Sequence, residues 1–116
     1  MKLARIRYRQ RLLRERYGII GVVAGRYLEA GFHVRLMHPT RHGPVHILAL
    51  KGDRKFVIEV AATRRVDDEV LIKLVDKAKS LGGEPVLILY GKSPRVSGDL
   101  ANKLRELGVR LRIVRG

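Results

Sequence analysis

The segment Gly43–Ala61, GPVHILALKGDRKFVIEVA, decides the fold because two apolar, β-branched runs flank a tight-turn signal. The runs are Val45–Leu50 and Lys55–Ala61, and Gly52-Asp53 between them suits a two-residue turn. The pattern predicts a β-hairpin in which the numbers of opposed residues sum to 105. His46 and Glu59 then lie opposite each other on one face, with Cβ atoms about 5 Å apart.

Helices and strands are predicted on both sides of this hairpin. Residues 1–17 suit either a basic arm, because arginines alternate with apolar residues, or a helix, because apolar residues also recur at helical spacing. The predicted order is then a helix over 19–30, a strand over 32–37, the hairpin, a helix from Asp67 or Asp68 to Gly82, a strand over 85–90, a helix from Ser97 to Gly108 and a strand over 109–114. This order, α-β-β-β-α-β-α-β, predicts a single α/β sandwich domain over 18–116, built around one mixed sheet.

The charge of the chain points to a polyanionic partner. The formal net charge is +14 over 116 residues, and basic residues are concentrated at both ends of the sequence. Such charge destabilises a compact state by self-repulsion unless an anion compensates it, and nucleic acid is the leading candidate. No apolar run suits a membrane span or a signal peptide, so we expect a cytoplasmic protein, associated with the nucleoid or with ribosomes. The lack of cysteine excludes disulfides and, with the many ion pairs, fits a hot-growing source.

Four segments carry a family resemblance. They are YLEAG at Tyr27–Gly31, HGPVHILA at His42–Ala49, FVIEVA at Phe56–Ala61 and KLVDKAKSLGGEPV at Lys73–Val86. Together they resemble the archaeal Holliday-junction resolvases, which belong to the restriction-endonuclease-like PD-(D/E)XK nucleases. The resemblance covers about residues 18–91. It implies a nuclease fold, nucleic acid as partner, and a homodimer that acts on a two-fold junction.

The catalytic residues that the resemblance implies are mostly missing. The family glutamate of the first helix falls near Gly21, the family aspartate on His46 and the family lysine on Ala61; only Glu59 is kept. Without a second carboxylate the affinity for Mg²⁺ falls, and without the lysine the attacking water loses its charge partner. We therefore expect no nuclease activity, no cofactor and no bound metal, with Glu59 as a remnant paired with His46. Mg²⁺ or Mn²⁺ is expected only if the site is rearranged and active.

The histidines suggest a second hypothesis, a zinc site. His38, His42 and His46 recur every four residues, which on a helix would suggest zinc ligands. Pro39 and Pro44 make a helix there unfavourable, so loop polarity or phosphate contact is the simpler role.

Three functions follow, and the first is favoured. It is a non-catalytic nucleic-acid-binding protein that recognises structured DNA or RNA; the alternatives are an active structure-selective endonuclease and a structural protein of a ribonucleoprotein such as the ribosome. Few aromatic residues argue against single-strand binding by base stacking. The predicted phosphate contacts are Arg5, Arg7, Arg9, Arg11, Arg14, Arg16, Arg41, Arg64 and Arg65.

Overall fold

In the part of the chain that the structure describes, one α/β domain contains four helices and a five-stranded mixed sheet. The computed structural model describes residues 2–61, 66–91 and 96–115. The elements are α1 (Lys2–Tyr17), α2 (Ile19–Glu29), β1 (His33–His38), β2 (Val45–Lys51), β3 (Arg54–Ala61), α3 (Asp68–Leu81), β4 (Glu84–Gly91), α4 (Gly98–Leu107) and β5 (Arg110–Arg115). The order of helices and strands predicted from α2 onward is confirmed, and the majority of strand ends lie one residue from their predicted positions. The first 17 residues, for which an arm and a helix remained open, contain α1.

Helices α1 and α2 form an antiparallel helical hairpin. In the sequence, apolar residues at helical spacing continue from the first segment into the second, from Ile6 to Tyr27. The helix is nevertheless interrupted at Gly18, whose φ of 60° and ψ of −131° take the chain out of helical geometry. α1 then folds back on α2, and the Gln10 side-chain amide donates a 2.9 Å hydrogen bond to the Gly25 carbonyl. The exposed remainder of α1 is mostly charged, so its packing against α2 is the contact that holds it to the domain.

Gly21 is the point of closest approach between the two helices. A Cβ built on Gly21 would lie 1.9 Å from the Leu13 carbonyl oxygen and 2.4 Å from its carbonyl carbon. Only a residue without a side chain allows the backbones this close together. Tight packing inside the domain therefore accounts for the glycine, and the family glutamate has no room at this position.

The sheet has the order β1-β2-β3-β4-β5. β1, β2 and β3 are antiparallel neighbours, whereas β3, β4 and β5 run parallel. β4 lies between two strands and its Val86–Leu89 segment is buried. The continuous apolar run Pro85–Tyr90 is typical of such a strand, which is covered on both faces. β5 is an edge strand, and its exposed arginines discourage pairing with another chain.

Two hydrophobic cores lie on opposite faces of the sheet. On one face α2 contributes Val23, Ala24 and Tyr27 to a cluster with Ile47 and Ile58. On the other face α3 and α4 pack against alternate residues of the same strands, and that cluster includes Val57, Leu71, Leu74, Leu87 and Leu104. Because side chains alternate along a strand, each strand residue can be assigned to the α2 side or to the α3 side of the sheet.

Candidate functional site

The side chain of His46 in β2 accepts a hydrogen bond from the backbone of β3. The predicted sum of 105 holds from Lys51 opposite Arg54 to Ile47 opposite Ile58. Beyond that pair, the Val60 amide of β3 donates a 3.0 Å hydrogen bond to Nδ1 of His46. Because Nδ1 accepts this hydrogen bond, the ring proton of the neutral imidazole lies on Nε2.

Nε2 of His46 points to Glu59. It lies 3.5 Å from Oε2 of Glu59, and the two side chains are 23% and 16% exposed. The structure therefore brings the two residues together, as the hairpin register predicted. Both belong to the α3 side of the sheet, because Glu59 follows the buried Val57 by two residues along β3 and so faces the same side.

Lys77 of α3 completes this group, and the sequence reasoning missed it. Its Nζ lies 3.9 Å from Oε1 of Glu59 and donates a 3.0 Å hydrogen bond to the Pro44 carbonyl. Its side chain is only 11% exposed. A signal was present, because Lys77 follows the buried Leu74 by one helical turn and so shares the core-facing side of α3. We call His46, Glu59 and Lys77 the Glu59 cluster.

The Glu59 cluster does not suit a divalent metal ion. Hard cations such as Mg²⁺ prefer several carboxylate oxygens, but Glu59 is the one carboxylate here and it faces an imidazole and an ammonium. Within residues 2–61, 66–91 and 96–115, no group of three or more His, Asp or Glu side chains is arranged to hold a metal ion. Ala61, at the family lysine position, packs against the α3-side core.

The end of β1 and the loop beside the cluster contain His38, His42 and one predicted phosphate contact. Thr40 orders this loop, since its hydroxyl donates to the Gly43 carbonyl at 2.6 Å and accepts from the His42 amide at 3.1 Å. His38 ends β1, and Arg41 and His42 are exposed. Met37, which the register places beside His46, has the unusual φ of 51°.

The predicted arginines lie mostly on the other side of the sheet. All six arginines of α1 are exposed, and α1 packs on α2, away from the Glu59 cluster. A groove of about 450 Å³ follows the seam of the two helices, and its lining arginines are Arg7, Arg11, Arg14 and Arg26. Arg26 of α2 was not among the predicted contacts. Arg64 and Arg65, which were, lie outside the described residues.

Two further findings bear on the class of protein. No helix in the described part of the chain is long and apolar enough to cross a membrane. No protein-family model and no curated protein sequence matches the chain.

The fold itself has a relative among solved structures. One similar structure is described as "Structure of EndoMS-dsDNA2 complex", with 20% sequence identity and a TM-score of 0.55. The similarity covers 72% of this chain and 36% of that chain, so the protein spans about a third of that solved chain. Together with the five-stranded mixed sheet and its helices on both faces, the similarity shows an α/β fold consistent with the restriction-endonuclease-like architecture.

Proposed function

We propose that this protein is a non-catalytic nucleic-acid-binding protein on a nuclease-like fold. The observation that supports it most directly is the Glu59 cluster, in which a lone carboxylate is held by His46 and Lys77. The net charge of +14 and the exposed arginines of α1 supply the attraction for phosphates. The partner is DNA or RNA in a structured form, because base stacking on single strands needs several exposed aromatic rings. Tyr27, Phe32 and Phe56 are buried, and Tyr8 is the one aromatic side chain of the described residues that is more than half exposed.

The lack of catalysis follows from the charges around Glu59. A metal-dependent nuclease uses clustered carboxylates to hold the ion that activates water. Here the ammonium of Lys77 compensates the carboxylate, and a divalent cation would have to enter against that positive charge. His46 is held by the Val60 amide and cannot use Nδ1 for a metal while that hydrogen bond lasts.

A binding panel tests the proposal. Fluorescence anisotropy is measured with a four-way junction, duplex DNA, duplex RNA and single strands, each with EDTA or Mg²⁺, from 50 to 200 mM salt. If the protein makes six phosphate contacts, this increase in salt should weaken binding about a thousandfold. Binding that is absent, or unchanged by salt, would refute the proposed function.

A structure-selective endonuclease is the second candidate, and Lys77 is the observation that favours it. Its amine lies beside Glu59 and would supply the charge that Ala61 lacks. The junction and duplex are therefore also incubated with Mg²⁺ or Mn²⁺ and analysed for cleavage products. We expect none; cleavage by the wild type that Glu59→Gln abolishes would establish the second candidate instead.

A further inference from the structure

The α2 side of the sheet is only partly covered by α2. In the described residues, α2 has its main sheet contacts with β1, β2 and β3. The α2-side residues of β4 are buried, whereas those of β5 include exposed arginines. Arg110 and Arg112 of β5 are paired in register with Val86 and Ile88, which belong to the α2-side core. Both arginines are therefore on the open part of that face, and both are exposed.

Two arginines at one end of this open face lie over buried aromatic rings. The guanidinium carbon of Arg54 is 5.0 Å from the ring centroid of Phe56 and 5.9 Å from that of Phe32. Arg110 lies 5.7 Å from the same Phe56 ring. These cation–π contacts orient the planar guanidinium groups before any anion binds, which lowers the entropic cost of binding.

The arginines of this side belong to three grooves that share residues. The first is the α1–α2 groove, which contains Arg26 at its α2 wall. A second groove, of about 280 Å³, lies between α2 and β5 and contains Arg26 and Arg112. A third, of about 190 Å³, contains Arg112 together with Arg110 and Arg54. Because each groove shares an arginine with the next, they form one continuous basic surface.

The charge of this surface is strongly one-sided. Seven arginines line the three grooves, and Glu29 is the one acid among their described lining residues. Glu29 accepts a 3.1 Å hydrogen bond from Gln10. Near the far end, Glu84 lies 3.9 Å from Arg110, but both side chains are more than half exposed and their interaction is weak. We call the seven arginines the arginine track: Arg7, Arg11, Arg14, Arg26, Arg54, Arg110 and Arg112.

We infer that a nucleic-acid backbone follows the arginine track, from the α1–α2 seam across the open face of β5 to the hairpin turn. The inference rests on the proposed function and specifies its surface. Arg7, Arg11 and Arg14 alone span about 10 Å of helix, and a duplex places one phosphate of each strand every ~3.4 Å along its axis, so several phosphates come within reach of this row. The path lies on the side of the sheet opposite the Glu59 cluster, so the cleft that a nuclease of this fold would use is not the binding surface.

The test compares two triple variants that lose the same charge. The track variant is Arg26→Gln/Arg54→Gln/Arg112→Gln. The control variant replaces three exposed basic residues away from the track with glutamine: Arg35, Lys79 and Arg105. Affinity for duplex DNA, or for whichever ligand of the panel the wild type binds best, is measured by anisotropy between 50 and 200 mM salt.

We expect the track variant to reduce the slope of log affinity against log salt by about 3, and to bind about 100-fold more weakly near 100 mM salt. The control variant keeps the wild-type slope within about 1. A control that loses as much slope as the track variant would overturn the inference. If the wild type binds none of the panel, the proposed function itself fails.

Folding of the variants is monitored by circular dichroism. If the Arg54 substitution unfolds the track variant by exposing Phe56, the single variants Arg26→Gln and Arg112→Gln are compared with Arg41→Gln. Each track variant should then lower the slope by about 1. An Arg41→Gln effect larger than either would place the backbone in the former cleft and refute the track.

Discussion

Lys77→Met tests whether an internal ammonium takes the place of a metal ion beside Glu59. Methionine keeps most of the apolar volume of lysine and removes only the charged end. The substitution removes the hydrogen bond to the Pro44 carbonyl and the 3.9 Å contact to the Glu59 carboxylate. Glu59 would then keep only the His46 contact within a site that is about one-sixth exposed.

The expected cost follows from these two interactions. A hydrogen bond from a charged donor contributes about 1.5–3 kcal/mol. At 4 Å two unit charges interact by about 4 kcal/mol at an effective dielectric constant near 20, and desolvation of the partners offsets much of it. We therefore expect Lys77→Met to lower the free energy of unfolding by about 2–4 kcal/mol. With a urea m value of about 1.5–2 kcal/mol/M, the midpoint falls by about 1–3 M.

A double-mutant cycle separates the two contributions. Urea unfolding of wild type, Lys77→Met, Glu59→Gln and the double variant is followed by far-ultraviolet circular dichroism. In the Glu59→Gln background the cost of Lys77→Met should be smaller by about 1–2 kcal/mol, because the charge pair is already gone. Costs that agree within about 0.5 kcal/mol in the two backgrounds would show that Lys77 does not compensate Glu59, and the reasoning would fail.

Three further predictions concern the helices and the metal. Gly21→Ala forces α1 away from α2 and should lower the free energy of unfolding by about 1–3 kcal/mol or more. Gly98→Ala, whose added Cβ would meet no atom within 4 Å, should leave that free energy unchanged or raise it. Thermal unfolding distinguishes the two variants, and equal effects would contradict the packing argument. Ser97→Ala removes the hydroxyl that accepts the Leu100 amide at the start of α4 and should cost about 1 kcal/mol in urea unfolding, with Ser97→Asp as the variant expected to retain stability. The double variant His46→Asp/Lys77→Met creates a pair of carboxylates without the ammonium. Millimolar Mn²⁺ should therefore raise the melting temperature of this variant and leave that of the wild type unchanged. A wild type stabilised by Mn²⁺ would contradict the conclusion that the Glu59 cluster does not bind a divalent metal ion.

Local signals in the chain were sufficient for most of the fold. The turn at Gly52-Asp53 determines which residues of β2 and β3 face each other, and the contact of His46 with Glu59 followed from counting along the hairpin. The Ser97 cap and the apolar stripe of α3 were similarly readable, because capping and helical periodicity involve residues within one or two turns of each other. The break at Gly18 could not be predicted from local signals, because apolar residues at helical spacing continue across it. Only the packing of α1 on α2 decides between one helix and two.

By itself the sequence determined the basic character of the protein, the alternation of helices and strands, and the lack of a second carboxylate opposite Glu59. The tertiary structure alone decided that Lys77 reaches Glu59, because the two residues are 18 positions apart along the chain and the position of α3 over the sheet depends on a core formed by both elements. It also decided which arginines share a surface. Arg26, Arg54 and Arg112 come from a helix, a hairpin and an edge strand, and their proximity arises from parallel strand pairing and helix packing that no local pattern encodes.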